Sequence, residues 1–153
     1  MRQEGIKIIS NNKKASFNYF LSDFMEAGIE LQGTEIKSLR VNGASMNDSY
    51  VVFRHNEAYI INLHISIYKE GNIFNHDPLR SRRLLLHKKE ILKLTQKVKE
   101  KQYTVIPTKI YFKNGLAKVE IALAKGKKLY DKRESEKEKD TKRAIDKAMK
   151  TQY

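Results

Sequence analysis

The stretch that most constrains this chain lies at residues 58–68, where Tyr59, Ile61, Leu63, Ile65 and Ile67 occupy every second position. A period of two sends side chains to alternate faces of an extended strand, and a helix cannot gather such a pattern on one side. The chain is therefore expected to be built around a half-buried sheet. A pairing partner precedes this strand at residues 49–53, across the polar turn Arg54-His55-Asn56-Glu57.

The remaining segments supply more strands and two helices. Residues 6–10 read as a short strand stopped by Asn11-Asn12-Lys13-Lys14. From Ser16 a second strand sets Phe17, Tyr19 and Leu21 against Asn18, Phe20 and Ser22. Met25-Glu26-Ala27-Gly28 interrupts it, with Gly28 predicting a bulge, before Ile29-Glu30-Leu31 resumes. Residues 33–43 predict a short helix with Thr34 as N-cap, Glu35 at its positive end and Gly43 as its stop. Ile36 and Leu39 face inward, and Lys37 and Arg40 lie on the other face. After a polar loop, His76-Asp77-Pro78 reads as a loop histidine before a capping aspartate with proline at the first helical position. Leu79-Arg80-Ser81-Arg82-Arg83 is a basic lead-in to Leu84-Leu85-Leu86, and Ile91, Leu94 and Val98 mark a helix over residues 87–102. Asn114-Gly115 turns a hairpin between residues 105–112 and 116–123, and Pro107, lacking an N–H, predicts an open side on its strand.

This inventory predicts a mainly β fold with helices: a small antiparallel barrel of the oligonucleotide-binding (OB-like) type, closed or nearly closed, with flanking α-helices. The body is expected over residues 1–124 and a basic C-terminal tail over 125–153. In the tail Lys and Arg alternate with Glu and Asp, and Ala144, Ile145, Ala148 and Met149 form a narrow apolar strip. The strip is too small to hold a helix alone, so the tail is expected to be disordered when free and helical on a partner.

Charge narrows the function. The 31 Lys and Arg against 18 Asp and Glu leave a net +13, which repels itself in a compact state and calls for a polyanionic partner. Nucleic acid is the first candidate and an anionic membrane the second. There are no cysteines, so thiolate metal sites and disulfides are excluded. The apolar run at residues 6–9 is too short for a signal peptide and nothing later approaches a transmembrane span, so a cytoplasmic location is expected. His55, His64, His76 and His87 fall in no metal-ligand spacing, and no phosphate-cradling glycine loop is present. No catalytic residue, metal or cofactor is assigned.

Asn12-Lys13-Lys14, Lys37 with Arg40, Arg80-Arg82-Arg83, Lys118 and Lys125-Lys127-Lys128 are candidate phosphate contacts. Tyr19, Phe20, Tyr68, Phe74 and Tyr130 are aromatics able to stack on bases. Glu26, an acid at a kink in a basic protein, has two readings: an acceptor for base amino groups, or an internal partner for a nearby Lys or Arg.

Several blocks then coincide in order. They are Asn12-Lys13-Lys14-Ala15; Glu26-Ala27-Gly28-Ile29 with Gly33-Thr34-Glu35-Ile36-Lys37-Ser38-Leu39-Arg40; Asp48-Ser49-Tyr50; Asp77-Pro78 with Arg83-Leu84-Leu85-Leu86; and Ala124-Lys125-Gly126-Lys127-Lys128 with Asp131-Lys132-Arg133. Together they resemble the SsrA-binding proteins, or small protein B, the bacterial partners of transfer-messenger RNA in ribosome rescue. The resemblance implies an RNA-binding adaptor without catalysis. Its body would bind the tRNA-like domain of transfer-messenger RNA through positions matching Asn12, Glu26, Leu85 and Lys118. Its tail would enter the empty mRNA channel of a stalled ribosome and fold near the decoding centre, through Gly126, Lys127, Lys128, Tyr130, Asp131, Lys132 and Arg133. It also implies a monomer, with elongation factor Tu reached through the charged RNA. Some family members carry histidine where this chain has Tyr130, so the resemblance carries over stacking there and not imidazole protonation. The alternative is a general single-stranded-RNA or ribosome-surface protein on the same barrel.

Overall fold

In the computed structural model, residues 5–70, 75–128 and Arg133 are described. The described chain runs β1 (Ile6–Asn11), α1 (Ala15–Asn18), β2 (Tyr19–Ile29), α2 (Gly33–Asn42), β3 (Tyr50–Arg54), β4 (Glu57–Ile61), β5 (Arg82–Leu85), α3 (Lys88–Lys101), β6 (Thr104–Lys113) and β7 (Leu116–Gly126). Strands β6, β3, β4, β5, β2 and β7 pair in that order, all antiparallel, and β7 pairs back onto β6. The six thus close a ring, which removes the open edges that invite aggregation. Strand β1 lies outside the ring on the second half of β6, from Lys109 to Lys113, beyond the single pairing of β3 at Val105. This is the expected OB-like barrel.

Leu39 of α2, Ile60 of β4, Leu84 of β5, Leu94 of α3, Ile110 of β6 and Val119 of β7 are all but fully buried in one core. The two tight hairpins share one device. His55-Asn56 and Asn114-Gly115 are two-residue turns with positive φ at both positions (51 and 62°, 51 and 80°), the geometry that matches the twist of the strands they join.

Several sequence expectations meet a more detailed outcome. The period-two run does not stay on one strand face: β4 ends at Ile61, and Asn62 takes φ 60°. Ala58 and Ile60 point inward before that residue, and Leu63 and Ile65 after it, so Tyr59 and Ile61 face outward. The interruption of β2 is at Asp23-Phe24 and not at Gly28. The register shifts between Ser22 and Met25, Asp23 has φ 51°, and Lys97 of α3 holds its carboxylate at 2.5 Å. Residues 16–18, read as the start of that strand, fall instead in the single turn α1 (Ala15–Asn18). Pro107 is buried, with a bulge beside it between Pro107 and Lys109, and pairs with Ile121 of β7. On the other side of β6 no described strand pairs it, since the pairing of β3 stops at Val105 and that of β1 begins at Lys109; the ladder is open there, as a residue without an N–H allows.

The N-cap of α2 is Gln32 rather than Thr34. Gln32 and Glu35 form a reciprocal capping box, and the Gln32 N–H donates to Glu35 Oε1 at 2.8 Å. The Thr34 hydroxyl instead meets Nδ1 of His76 at 2.9 Å, while Nε2 of His76 donates to the Ile65 carbonyl at 2.8 Å. His76 is thereby a buried tie between α2 and the segment after β4. Asp77 and Pro78 begin a turn and no helix: Asp77 Oδ1 accepts from the Leu79 N–H at 2.9 Å.

Candidate nucleic-acid interface

Alternation on β2, β5 and β7 decides what reaches the outer face. Ala27, Leu84 and Val119 point into the core, so Glu26, Gly28, Leu85 and Lys118 point out. The register then sets them side by side. Gly28 pairs with Leu85 of β5 on one side and Lys118 of β7 on the other, and Lys118 pairs in turn with Tyr111 of β6. Leu85 is 46% exposed, a large apolar side chain on a wet face. A Cβ on Gly28 would stand 3.2 Å from the Leu85 Cβ, so glycine leaves the notch into which Leu85 fits. Glu26, Leu85 and Lys118 line one groove of about 490 Å³, together with Asn56 of the β3–β4 turn and His87 and Lys88 at the start of α3.

Glu26 has internal partners as well as groove exposure. The Tyr111 hydroxyl donates to its Oε2 at 2.5 Å and Lys113 Nζ lies 3.5 Å from the same oxygen. The phenol hydrogen bond, helped by Lys113 and against partial burial, holds the Glu26 carboxyl below the usual carboxylate range. Burial first, and then the Glu26 charge, push the Tyr111 hydroxyl well above its ordinary value, so it stays a donor. The groove therefore presents an ionised acceptor, an apolar step and a cation in a small area. Such a set can meet a base edge, a ribose or base face, and a phosphate.

Asn12, expected in the same set, lies elsewhere. Its side-chain amide donates to the Pro107 carbonyl at 2.9 Å and its N–H to Thr108 at 2.8 Å, tying the β1–α1 turn to the β6 bulge. With Lys14 it borders a second cleft of about 400 Å³ near Tyr19, Asp48 and Tyr50; Lys13 beside it is exposed. Lys37 and Arg40 are exposed on α2, over the rings of Tyr68 at 5.9 Å and Phe112 at 5.1 Å, and belong to neither cleft.

The basic lead-in is corrected more sharply. Arg82 is 0% exposed and ion-paired through Nε to Glu35, itself 0% exposed. Arg80 reaches the other Glu35 oxygen at 2.6 Å. Both arginines brace the fold; Arg82 is sealed from any phosphate, whereas Arg80 keeps part of its side chain at the surface. Arg83 is exposed, 3.7 Å from both Glu30 and Glu57.

At the border with the tail, Lys125 and Gly126 still belong to β7, paired with Phe20 and Tyr19. The Lys127 N–H donates to the Asn18 carbonyl at 2.9 Å, its ammonium to the Ser16 carbonyl at 2.9 Å, and the ammonium sits 5.0 Å from the Phe20 ring. Lys128 and Arg133 are exposed. Tyr130, Asp131 and Lys132, Phe74, the rest of the tail and its apolar strip lie outside the described residues.

Tyr111 and the Gly28 notch were not singled out in the sequence. The signal for Tyr111 was present: counting back from a two-residue Asn114-Gly115 turn pairs Lys113 with Leu116 and Tyr111 with Lys118, as observed. Among the described residues no cluster of His, Cys, Asp and Glu could hold a metal, and no described helix is long and apolar enough to cross a membrane.

A closed OB-like ring carrying an acid, an apolar step and a lysine in one outer groove defines the class of nucleic-acid-binding barrels. The family model described as SmpB protein matches residues 9–151. Similar curated proteins include the SsrA-binding proteins of Trichodesmium erythraeum, 55% identical over 96% of this chain and 95% of that protein, and of Geotalea uraniireducens, 56% identical over 94% and 95%. That of Bacillus velezensis is 54% identical over 94% and 92%. A solved chain described as "tmRNA-SmpB: a journey to the center of the bacterial ribosome" is similar with a TM-score of 0.67 and 44% identity, covering 80% of this chain and 87% of that one. The chain belongs to the SmpB family.

Proposed function

We propose that this chain is an RNA-binding adaptor that holds the tRNA-like domain of transfer-messenger RNA and brings it to stalled ribosomes for trans-translation. The observation that carries the reading is the groove in which Glu26, Leu85 and Lys118 meet from three strands. The relatives, named as SsrA-binding proteins, and the ribosomal setting of the similar solved chain support it. Lys118 contacts phosphate, Leu85 packs on a base or ribose, and Glu26 accepts from a base amino group. Asn12, Lys13 and Lys14, with Lys37 and Arg40, add contacts on other faces of the body.

The tail, residues 125–153, serves the ribosome: Gly126, Lys127, Lys128, Tyr130, Asp131, Lys132 and Arg133 act near the decoding centre, Tyr130 by stacking. The protein works as a cytoplasmic monomer, by binding and without catalysis, and meets elongation factor Tu only through the charged RNA. The test is competitive binding among the tRNA-like domain, ordinary tRNA and unrelated RNA of equal length, for the native protein and Lys118→Ala. The native protein should prefer the tRNA-like domain. Lys118→Ala should weaken binding and flatten the log–log salt slope by about 0.7–0.9, one phosphate contact. Equal affinity for all three RNAs would move the reading to a general RNA-binding barrel.

A further inference from the structure

The groove leaves one residue without a task. Tyr111 is only 5% exposed, yet it stands on the outer face in the row of Lys118. A buried phenol needs a hydrogen-bond partner, and this one reaches diagonally past β7 to Glu26 Oε2. Lys113 approaches the same oxygen. Both neighbours address Oε2, and no described residue donates to Oε1. Opposite Glu26 in the register stands a second acid, Glu120, whose own oxygens are occupied by Thr108 at 2.9 Å and Lys109 at 3.3 Å. Like charges directly opposite on neighbouring strands repel, so an untied Glu26 would swing away from this position.

We propose that Tyr111 is a positioning residue for RNA recognition: its hydroxyl fixes the Glu26 carboxylate by Oε2 and leaves Oε1 as the acceptor offered to a base amino group in the groove. The proposal rests on the groove reading above and adds a division of labour within it. Lys118 supplies charge, which every RNA satisfies, whereas a carboxylate repels phosphate and rewards only a hydrogen-bond donor, such as a base amino group, in the right place. Glu26 held by Tyr111 therefore contributes preference rather than affinity.

The test compares full-length native protein, Tyr111→Phe, Glu26→Gln and the double variant. Each is titrated with the tRNA-like domain and with unrelated RNA of equal length, over a range of salt and from neutral pH downward. Tyr111→Phe removes one oxygen and keeps the ring. Glu26→Gln should cut the preference about tenfold, the usual worth of a charge-assisted hydrogen bond. Tyr111→Phe should cut it severalfold with the melting temperature and salt slope unchanged, and the double variant should match Glu26→Gln alone. The groups facing Glu26 are Tyr111 and Lys113 of β6 and Lys118 and Glu120 of β7. With Tyr111 gone, the acid limb of the preference should move to higher pH, and Glu26→Gln should abolish that limb. Losses that add in full in the double variant, or an acid limb that does not move, overturn the positioning role while the groove stands. A Glu26→Gln protein with native preference overturns both.

Discussion

Replacing Glu35 by alanine isolates the buried ion network. The native carboxylate accepts from Arg82 Nε, from Arg80 Nη2 at 2.6 Å and from the Gln32 N–H at 2.8 Å, and Arg82 spends its remaining donors on the carbonyls of Leu63 at 2.6 Å and Pro78 at 3.2 Å. Without Glu35 the guanidinium is still buried and its charge is unpaired, which costs about 3–5 kcal/mol. At roughly 2–4 °C per kcal/mol for a chain of this size, melting should fall by about 6–20 °C. Urea unfolding with a common m-value is the assay. Burial works to raise the Glu35 pKa, but Arg80, the Gln32 N–H and Arg82 outweigh it and hold the carboxyl below the usual carboxylate range. A depressed folded pKa gives stability that is complete above the unfolded value and lost as pH falls through the folded one. The gap between native and Glu35→Ala should therefore be constant near neutrality and close in acid. Replacing both partners, Glu35→Leu with Arg82→Met, should recover most of the loss, because no charge is then left buried. A single-variant loss below about 1 kcal/mol, or a double variant no better than the single, would refute the assignment of Arg82 to the fold.

Two further predictions concern the RNA surfaces. Gly28→Ala puts a methyl 3.2 Å from the Leu85 Cβ and 3.3 Å from its Cδ1; since the backbone there is not left-handed, the effect should fall on Leu85. RNA affinity should drop severalfold with melting nearly unchanged, and native affinity would separate Leu85 from the site. Truncation after Lys128, which keeps all of β7 and the Lys127–Asn18 hydrogen bond, should retain binding of the tRNA-like domain and abolish tagging on stalled ribosomes. Tagging by the truncated protein would end the division between body and tail.

Local signals were legible where one interaction decides the structure. Asn114-Gly115 takes the left-handed turn that its residues favour, and α3 buries Ile91 and Leu94 as the spacing requires. Signals that depend on distant partners were not. Arg82 reads as a surface cation because nothing within its own segment reveals Glu35, forty-seven positions earlier, waiting in the core. Asn62 turns the strongest strand pattern over because one left-handed residue exchanges the faces of everything after it. Glu26 takes the internal partner that one of its two readings expected, Lys113, and it also lines the groove, where the proposed contact to a base would be made. The end of β7 was not legible because Lys125 and Gly126, though polar and small, are paired to β2 through backbone groups that side-chain composition does not report.

The ring also links the two proposed RNA contacts mechanically. Gly28 pairs with Lys118 where the groove lies, and Tyr19 pairs with Gly126 where the chain leaves β7. Between those pairs β2 and β7 run together, so the groove and the start of the tail are separated by about 25 Å of double strand at the usual rise per residue. Strands within a closed ring cannot slide past one another without turning every inward side chain outward. Here a slip of one residue would exchange Val119 with Lys118 and Ala27 with Glu26, losing core and groove together. The register that buries the core is thus also the one that sets the reach from the RNA held in the groove to the tail. Under the proposed function, an adaptor needs that reach to be fixed, and the Asp23-Phe24 bulge is the place along β2 where it could be altered. Lys97 closes that bulge onto α3 through Asp23.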